Sequence, residues 1–435
     1  MRLIKRLTGS QLVRGSALIF LANNFVNFGN FLFNLVMARL LGKAVYGELG
    51  SLFSLYVLSA VPLSVFNIYI IKSVSSRLGQ KDLKGIKSIH SWFLPKIFAV
   101  SLTLFLLFFI SSFFISGFLK LSSPLPIIFM GLNFILAGLS SLNGSVLTGM
   151  LAFSLIALNG TVEVLSKLAL STLAVLANWG LYGALIGITA GGLIRYFMSV
   201  VEISRLLPSY KKNKPPVYSQ NIREIIPVII TTLILVSFLN ADIILVRHFF
   251  SPVAAGEYVA LSTLSKSIFY AAAPFVTVMF PIITKRKAGG DPYLLPLLGS
   301  LFGSAFISLI AILAFYLFPK FIVNLLFGSK YLNIIPYLVH FSFFTAIYAL
   351  NHIVTYFLLS VSFNRALYIL PIFPLLQTLL IFIFHKSVFT VISINILTSL
   401  LYLISAIILI WYKEAKNFIY LIKTRLPLFY YHGQQ

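Results

Sequence analysis

Long apolar stretches alternate with short polar ones along nearly the whole chain. A membrane-spanning helix needs about 20 consecutive, mostly apolar residues, and twelve stretches meet that length. Their predicted limits are 15–41, 46–71, 91–117, 124–147, 151–177, 180–204, 222–249, 256–284, 292–318, 332–360, 364–384 and 388–411. This pattern predicts an all-α polytopic membrane protein with about twelve transmembrane helices.

The first apolar stretch also carries amides at helical spacing. Four asparagines follow one another at steps of four, three and four: Asn23, Asn27, Asn30 and Asn34. A helix places all four on one face. Because an unpaired amide facing lipid costs about 2–7 kcal/mol, we expect this face to meet protein or water, and we interpret it as one wall of a substrate cavity.

Composition supports the membrane assignment. Of the 435 residues, 59% are hydrophobic and only 10% are charged, against roughly 25% charged in soluble domains. Mean hydropathy is +0.99. The sequence contains no cysteine, which excludes disulfides, thiolate metal sites and cysteine nucleophiles.

The net charge of +24 is explained by topology, without a nucleic-acid partner. With the N-terminus inside, the inner segments hold 22 of the 33 Lys and Arg residues, and the outer segments hold 7. Cytoplasmic loops accumulate Lys and Arg. The asymmetry predicts a multi-pass protein of the cytoplasmic membrane with both termini in the cytoplasm, and its first span is expected to be retained.

A basic, proline-containing interruption divides the chain after six predicted spans. The predicted organisation is a six-helix lobe at 1–204, a cytoplasmic linker at 205–221, a second six-helix lobe at 222–411 and a basic amphipathic tail at 412–435. The tail mixes Lys and Arg with apolar residues, which is typical of an interfacial helix, although a plain topological anchor fits equally well.

The two halves resemble each other around a Gly-Glu pair. Aligning Gly47-Glu48 with Gly256-Glu257 offsets the halves by 209 residues and places Arg39 one step from Arg247. Both copies run from outside to inside, so the pattern predicts a parallel repeat related by an axis along the membrane normal. The two outer ends of the cleft are then expected to be built alike.

Several charged residues fall deep within predicted spans. Glu163 and Lys167 lie four residues apart and can pair on one helix face. Arg195 and Lys266 have no acid at helical spacing, so each either faces a water-filled cavity or pairs across helices. Asp242 can pair with Arg247, Lys266 or Arg39, and the sequence leaves the choice open.

These charges indicate an anionic ligand. The five cations Arg39, Lys167, Arg195, Arg247 and Lys266 outnumber the acids Glu163 and Asp242, and Arg and Lys bind phosphate oxygens through charge-assisted hydrogen bonds. Snorkelling of Arg39 and Arg247 to the interface is the competing interpretation.

The tenth stretch repeats the polar spacing of the first. Thr345, Tyr348, His352 and Thr355 lie at steps of three, four and three. Hydroxyls and aromatic rings on a cavity wall suit a sugar, so Tyr348 and His352 join the candidate cavity residues. A helix-packing role for His352 is the alternative.

Phosphate-loop, nucleophile-elbow and zinc-protease motifs are absent from the sequence, and the predicted outer loops are short, so ATP-driven pumping and hydrolytic chemistry lose support. Four segments, at 38–52, 73–85, 147–159 and 240–285, together resemble the polysaccharide biosynthesis branch of the multidrug/oligosaccharidyl-lipid/polysaccharide exporter superfamily, the Wzx-like oligosaccharide flippases. The likeness covers nearly the whole chain and rests on diffuse Gly, Arg, Tyr and Pro patterns.

The resemblance implies two six-helix lobes around a central cavity, working by alternating access. The implied substrate is an oligosaccharide on a polyprenyl pyrophosphate, which crosses from the inner to the outer leaflet. A polysaccharide polymerase and glycosyltransferases are the implied protein partners. No cofactor is expected beyond Na⁺ or H⁺ coupling through Glu163 or Asp242. The alternatives are a cation-coupled multidrug exporter and a membrane-embedded polymerase or glycosyltransferase.

Overall fold

A computed structural model describes residues 2–207 and 222–425, and all regular structure in these ranges is helical. The helices are α1 (Arg2–Ser59), α2 (Val61–Gly79), α3 (Leu83–Ile110), α4 (Ser112–Phe118), α5 (Leu125–Gly149), α6 (Phe153–Ala174), α7 (Gly180–Leu206), α8 (Ile222–Phe249), α9 (Pro252–Gly289), α10 (Leu294–Leu317), α11 (Pro319–Phe327), α12 (Ile335–Ser360), α13 (Asn364–Ile369), α14 (Ile372–Ile383) and α15 (Val388–Arg425). A π-turn at Val175–Trp179 precedes α7, and a 3-10 turn at Ser329–Ile334 precedes α12.

The predicted fold class is confirmed. Among the described residues, ten helical stretches are long and apolar enough to cross a membrane. Two of the ten are interrupted at a residue with positive φ: Leu21–Ser59 at Gly42 (φ 72°), and Phe153–Leu206 at Asn178 (φ 66°). Both breaks fall where the sequence predicts the end of one span and the start of the next. The total of twelve spans stays a prediction.

Local chemistry explains several helix ends. Asp82 caps α3 by accepting a hydrogen bond from the Gly85 backbone N–H at 2.7 Å, as expected for an N-cap carboxylate. Pro319 begins α11 and Gly328 (φ 88°) ends it, which is the usual placement of both residue types.

The described chain divides into two compact units. Unit 1 comprises Met1–Ile225, Leu239–Leu264 and Phe318–Pro336. Its most extensive helix contacts join α6 to α7, α3 to α5, α1 to α6, α5 to α7 and α2 to α5. A cluster of buried apolar residues from α2, α3, α5 and the end of α7 includes Val74, Phe93 and Leu142.

Unit 2 comprises Ile226–Phe238, Ser265–Leu317 and Tyr337–Gln435. Buried polar contacts tie its helices together. The Gln377 amide donates to Asn395 at 2.8 Å, and the Asn351 amide donates to the Ser399 carbonyl at 3.0 Å. Interhelical amide bonds of this kind commonly hold membrane helices together.

Most of the predicted linker and the end of the predicted tail, at 208–221 and 426–435, lie outside the described residues. The last predicted span and the start of the tail form one continuous helix, α15, which reaches Arg425. The division into two six-helix lobes stays a prediction.

Candidate functional site

Unit 1 contains a partly open cavity of about 470 Å³, lined by both apolar and polar residues, a volume within the usual range of small-molecule sites. Its polar lining residues come from α1, α2, α5, α6 and α7: Asn30, Tyr56, Ser64, Asn67, Asn133, Ser140, Ser141, Glu163, Lys167 and Arg195. Four of these are sequence-predicted site residues, namely Asn30, Glu163, Lys167 and Arg195.

The charged residues form one wall of the cavity. Arg195 Nη1 donates to Glu163 Oε2 at 2.6 Å, and the two side chains are 36% and 31% exposed. Lys167 Nζ donates to Asn30 Oδ1 and lies 4.7 Å from the centre of the Phe33 ring. With Lys167 and Arg195 against one carboxylate, the wall carries a formal charge of +1.

This arrangement corrects one predicted pairing. The sequence predicts that Glu163 pairs with Lys167 on the same helix, but Glu163 pairs with Arg195 of α7. For Arg195 the sequence left two possibilities, a cavity or an interhelical pair, and the structure shows both at once. The amide of Asn30 takes the place of Glu163 as the hydrogen-bond partner of Lys167.

Small residues on α7 bring this helix against α6 and create the charged wall. Glycines recur every four residues at Gly183, Gly187 and Gly191. A Cβ at Gly187 would lie 2.4 Å from the Ser171 backbone nitrogen, and one at Gly191 would lie 2.9 Å from the Glu163 carbonyl oxygen. Such stripes let membrane helices approach closely, so Arg195, one turn beyond Gly191, reaches Glu163.

Uncharged amides and hydroxyls line a second part of the cavity, here called the amide wall and defined by Tyr56, Ser64, Asn67, Asn133, Ser140 and Ser141. Asn67 Oδ1 accepts hydrogen bonds from Ser141 at 2.5 Å and from Ser145 at 3.0 Å. Asn133 Nδ2 donates to the Phe129 carbonyl and to Thr189, both at 3.0 Å. These bonds fix the orientation of both amides.

The asparagine stripe divides along its length. Asn30 lines the cavity, whereas Asn23 and Asn27 are exposed. Asn34 Nδ2 donates to the Asn30 carbonyl one turn earlier, at 2.9 Å, and its Oδ1 accepts from the Tyr46 hydroxyl at 3.5 Å. The helix does align the stripe, but only one of its four amides belongs to this cavity.

A second group of charges lies away from the cavity lining, also within unit 1. We call it the Gly-Glu cluster and define it as Lys43, Gly47, Glu48, Arg247, Gly256 and Glu257. Lys43 Nζ lies 2.6 Å from Glu257 Oε1, and Arg247 Nη2 lies 3.0 Å from Glu48 Oε1. Each predicted repeat supplies the carboxylate for a cation of the other, so the pairs are reciprocal.

The backbones of the two Gly-Glu pairs touch at the centre of this cluster. A Cβ on Gly47 would lie 2.7 Å from the Gly256 nitrogen, and a Cβ on Gly256 would lie 1.7 Å from the Lys43 carbonyl oxygen. No side chain fits at position 256 without moving the backbone. Glycine at both positions therefore permits the contact that brings the reciprocal ion pairs together.

Arg39 and Arg247 make equivalent contacts, each with the end of a short helix. Arg39 donates to the Leu325 and Leu326 carbonyls at the end of α11, the latter at 3.0 Å. Arg247 donates to the Leu119 and Lys120 carbonyls after α4, at 2.8 and 2.9 Å. Carbonyls at helix C-termini lack intrahelical partners and attract cations.

These contacts correct the predicted placement of both arginines. Arg247 is 1% exposed and surrounded by protein, and neither arginine is among the cavity lining residues. Snorkelling does not describe Arg247 either, because its guanidinium is buried. The reciprocity agrees with the predicted repeat, in which Arg39 and Arg247 occupy neighbouring positions.

Asp242 and Lys266 also lie apart from the cavity lining. Asp242 is 1% exposed, and its carboxylate accepts the Tyr258 hydroxyl at 2.6 Å. Of its three predicted partners, Arg247 pairs with Glu48 and Arg39 with helix-end carbonyls. Lys266 is half-buried on α9, in unit 2.

Tyr348 and His352 pack inside unit 2. Tyr348 is 2% exposed and its hydroxyl donates to the Leu235 carbonyl at 3.0 Å. The His352 ring lies 5.0 Å from that of Phe269 and 4.8 Å from that of Tyr356. The expected place on an open cavity wall is wrong for Tyr348 in this structure, and the contacts of His352 are those of helix packing.

Sequence reasoning missed the amide wall and half of the Gly-Glu cluster. Asn67 and Asn133 are isolated amides within apolar stretches, and the rarity of such residues in membrane helices was the available signal. Glu48 and Glu257 were noted only as landmarks of the repeat, and Lys43 was not singled out. Their reciprocal order, Lys before Glu in one copy and Arg before Glu in the other, was the signal for pairing.

Solved structures that share this fold include membrane transporters. The chain resembles an inward-facing multidrug resistance MATE family transporter of the MOP superfamily (TM-score 0.71, 11% identity, covering 92% of this chain and 96% of that one). It also resembles the lipid II flippase MurJ (0.69, 14%, 91% and 87%) and a MOP superfamily transporter from Pyrococcus furiosus (0.58, 12%, 91% and 94%). The chain therefore has a MATE- and MurJ-like fold.

Within that fold class the sequence itself is diagnostic. The pattern of the polysaccharide biosynthesis protein family matches residues 12–287, and the chain belongs to that family. The resemblance inferred from the four sequence segments is therefore confirmed. No curated protein sequence matches the chain significantly.

Proposed function

We propose that this protein is a flippase of the cytoplasmic membrane that moves a polyprenyl-pyrophosphate-linked oligosaccharide from the inner to the outer leaflet. One observation carries the proposal: in a polysaccharide biosynthesis protein, the unit 1 cavity combines a net cationic wall with a wall of amides and hydroxyls. Phosphate oxygens suit the first wall, and sugar hydroxyls suit the second.

The Glu163–Arg195 pair supports this use because both side chains are about one-third exposed. Partly exposed ion pairs are weak, so a phosphate competes with Glu163 for the guanidinium at little cost. Lys167 supplies the second cation. Its nitrogen is held by a neutral amide, so an anion that approaches it displaces no carboxylate.

Movement between leaflets requires that the cavity open to each side in turn. In the proposed cycle, the Gly-Glu cluster keeps the two predicted repeats joined at this point while the cavity opens. Its ion pairs join the two predicted repeats, and its centre is a backbone contact rather than an interlocked apolar core. Alternating access of this kind needs an arrangement with two discrete states.

The test is transport of a defined lipid by the purified protein in vesicles. Arg195→Gln removes the cation that the structure places on the cavity wall, and we expect flipping of a polyprenyl-diphosphate glycan to fall at least about tenfold, as for the loss of a charged hydrogen bond. Arg286→Gln is the matched control, because Arg286 lies outside the cavity lining and its guanidinium donates to the Pro292 carbonyl at 3.0 Å. Equal flipping by both variants contradicts the proposal.

A Na⁺- or H⁺-coupled multidrug exporter is the second candidate. It is favoured by the fold shared with MATE transporters and by the buried carboxylate of Asp242. Two results together support this candidate: Asp242→Asn abolishes drug efflux, and the wild-type protein does not flip the lipid. The third candidate is a polymerase or glycosyltransferase, and it requires product formation in detergent, where no leaflets exist.

A further inference from the structure

The two amides of the amide wall each keep one polar atom without a protein partner. Asn67 uses Oδ1 for Ser141 and Ser145, and Nδ2 has no acceptor among the described residues. Asn133 uses Nδ2 for Phe129 and Thr189, and Oδ1 has no donor among the same residues. Neither atom is among the fully enclosed polar atoms that lack a partner, so both remain accessible.

This wall therefore offers one donor and one acceptor in fixed positions. The amides cannot rotate freely, because each is held by two hydrogen bonds to neighbouring groups. A sugar hydroxyl both donates and accepts, so sugar hydroxyls can pair with Asn67 Nδ2 as well as with Asn133 Oδ1. A bare phosphate oxygen has no proton to give to Asn133 Oδ1.

The charged wall and the amide wall belong to one cavity but differ in charge. Lys167 and Arg195 give the first wall its positive charge, whereas the amide wall holds no ionisable side chain except the neutral Tyr56 phenol. Tyr56 is committed to protein contacts, since its hydroxyl donates to the Asn133 carbonyl at 3.4 Å and its ring stacks on Phe134. A ligand with one anionic and one neutral end is thus held in one orientation.

We infer that Asn67 and Asn133 read the hydroxyl groups of the sugar nearest the pyrophosphate, while Lys167 and Arg195 hold the pyrophosphate itself. This assignment rests on the proposed function and deepens it. The amide wall selects glycosylated lipid over bare polyprenyl diphosphate, and it distinguishes sugars that differ at a single hydroxyl. Sites built to pair with a hydroxyl reject ligands that lack it, because the buried amide then loses its partner.

The experiment compares two probes in detergent: a short-chain polyprenyl diphosphate, and the same lipid bearing one hexose. The dissociation constant of each is measured for the wild type, Asn67→Leu and Arg195→Gln. In Asn67→Leu, Ser141 and Ser145 can bond their own helix carbonyls instead. We expect Asn67→Leu to raise the dissociation constant of the hexose lipid about three- to tenfold, which is the contribution of one hydrogen bond. The dissociation constant of the bare diphosphate should stay unchanged. Arg195→Gln weakens both probes.

The matched control is Ser75→Ala. Ser75 joins the same two helices as Asn67, by donating to the Gly149 carbonyl at 3.2 Å, and it lies outside the cavity lining. The ratio of the two dissociation constants is expected to stay at the wild-type value. A ratio that shifts as much in Ser75→Ala as in Asn67→Leu overturns the inference, because a general loosening of α2 against α5 then explains the result.

The outcomes separate the inference from the proposed function. If both probes bind the wild type and Asn67→Leu weakens both equally or neither, the inference fails while the pyrophosphate site stands. If neither probe binds, both fail. Should Asn67→Leu not fold, wild-type protein is titrated with lipids bearing singly deoxygenated hexoses. Weaker binding of at least one of them supports the inference, and equal binding of the whole series overturns it.

Discussion

The cavity and the Gly-Glu cluster each contain an arginine–glutamate pair, but the two pairs differ in what surrounds them. The side chains of Arg195 and Glu163 are 36% and 31% exposed, and they form an ion pair with each other. Arg247 and Glu48 are 1% and 17% exposed, and Arg247 also binds two helix-end carbonyls. The first pair can exchange its partner for a ligand, whereas the second is held in place by the protein around it.

The comparison shows that charge within an apolar stretch does not by itself mark a substrate site. Desolvation makes a buried cation costly unless oxygen atoms lie beside it, and the Glu48 carboxylate and the Leu119 and Lys120 carbonyls provide them for Arg247. In the cavity, the protein supplies fewer oxygen atoms to Lys167 and Arg195, and water or a ligand supplies the remaining hydrogen bonds. The number of protein oxygens around each cation distinguishes a structural charge from one available for binding.

The largest expected effect comes from filling the centre of the Gly-Glu cluster. Gly256→Ala places a methyl group on the Lys43 carbonyl, so the backbones must separate and both reciprocal ion pairs lengthen. We expect destabilisation of about 3 kcal/mol or more, at the upper end for overpacked sites. Thermal unfolding in detergent measures it.

Gly299→Ala is the control for that substitution, since a Cβ at Gly299 of α10 meets open space. Replacement of an unconstrained helical glycine is expected to raise stability slightly. If Gly256→Ala and Gly299→Ala melt at the same temperature, the backbone contact at the centre of the cluster does not contribute to stability. The proposed difference between the cluster and the cavity is then contradicted.

The next effect separates the two ion pairs directly. Glu48→Gln leaves the buried guanidinium of Arg247 without its carboxylate, and we expect a loss of about 3 kcal/mol in the free energy of unfolding. Glu163→Gln exposes Arg195 to water and should cost about 1 kcal/mol or less. Denaturation of both variants in the same detergent checks the order, and a reversed order would remove the distinction drawn here.

The smallest effect concerns a charge pair outside both regions. Asp82 caps α3 and pairs with Arg77 at 2.6 Å, and the Gly85 N–H bond, followed by Arg77, lowers the pKa of its carboxyl group. Asp82→Ala should cost about 1 kcal/mol at neutral pH, most of it from the lost cap, whereas Asp82→Asn keeps the cap and should cost less.

A lowered folded-state pKa means that this contribution is present above the unfolded value of about 4 and is lost as the pH falls through the folded value. The stability difference between wild type and Asp82→Ala is therefore expected to shrink in acid. Measuring it at pH 7 and at several pH values below 4 checks the sign. A difference that grows in acid would show that the carboxylate is not the stabilising form.

Sequence alone was sufficient for the class of protein and for the helix breaks at Gly42 and Asn178. The length of each apolar stretch and the lipid's demand for satisfied backbone groups dictate helices, and both are local properties of the chain. The spacing of Asn23, Asn27, Asn30 and Asn34 and the register of the Gly-Glu repeat are also local. They were readable without any knowledge of helix neighbours.

Tertiary structure decided which polar groups meet. Glu163 lies one turn from Lys167 in sequence, yet it pairs with Arg195, because the glycines of α7 set how closely and at what height α7 meets α6. Arg39 and Arg247 look alike in sequence to the cavity cations, but both bind helix ends. Periodicity shows which residues share one face of a helix, but it does not show which helix packs against that face. The shift of a helix along its axis and its rotation depend on packing with distant segments.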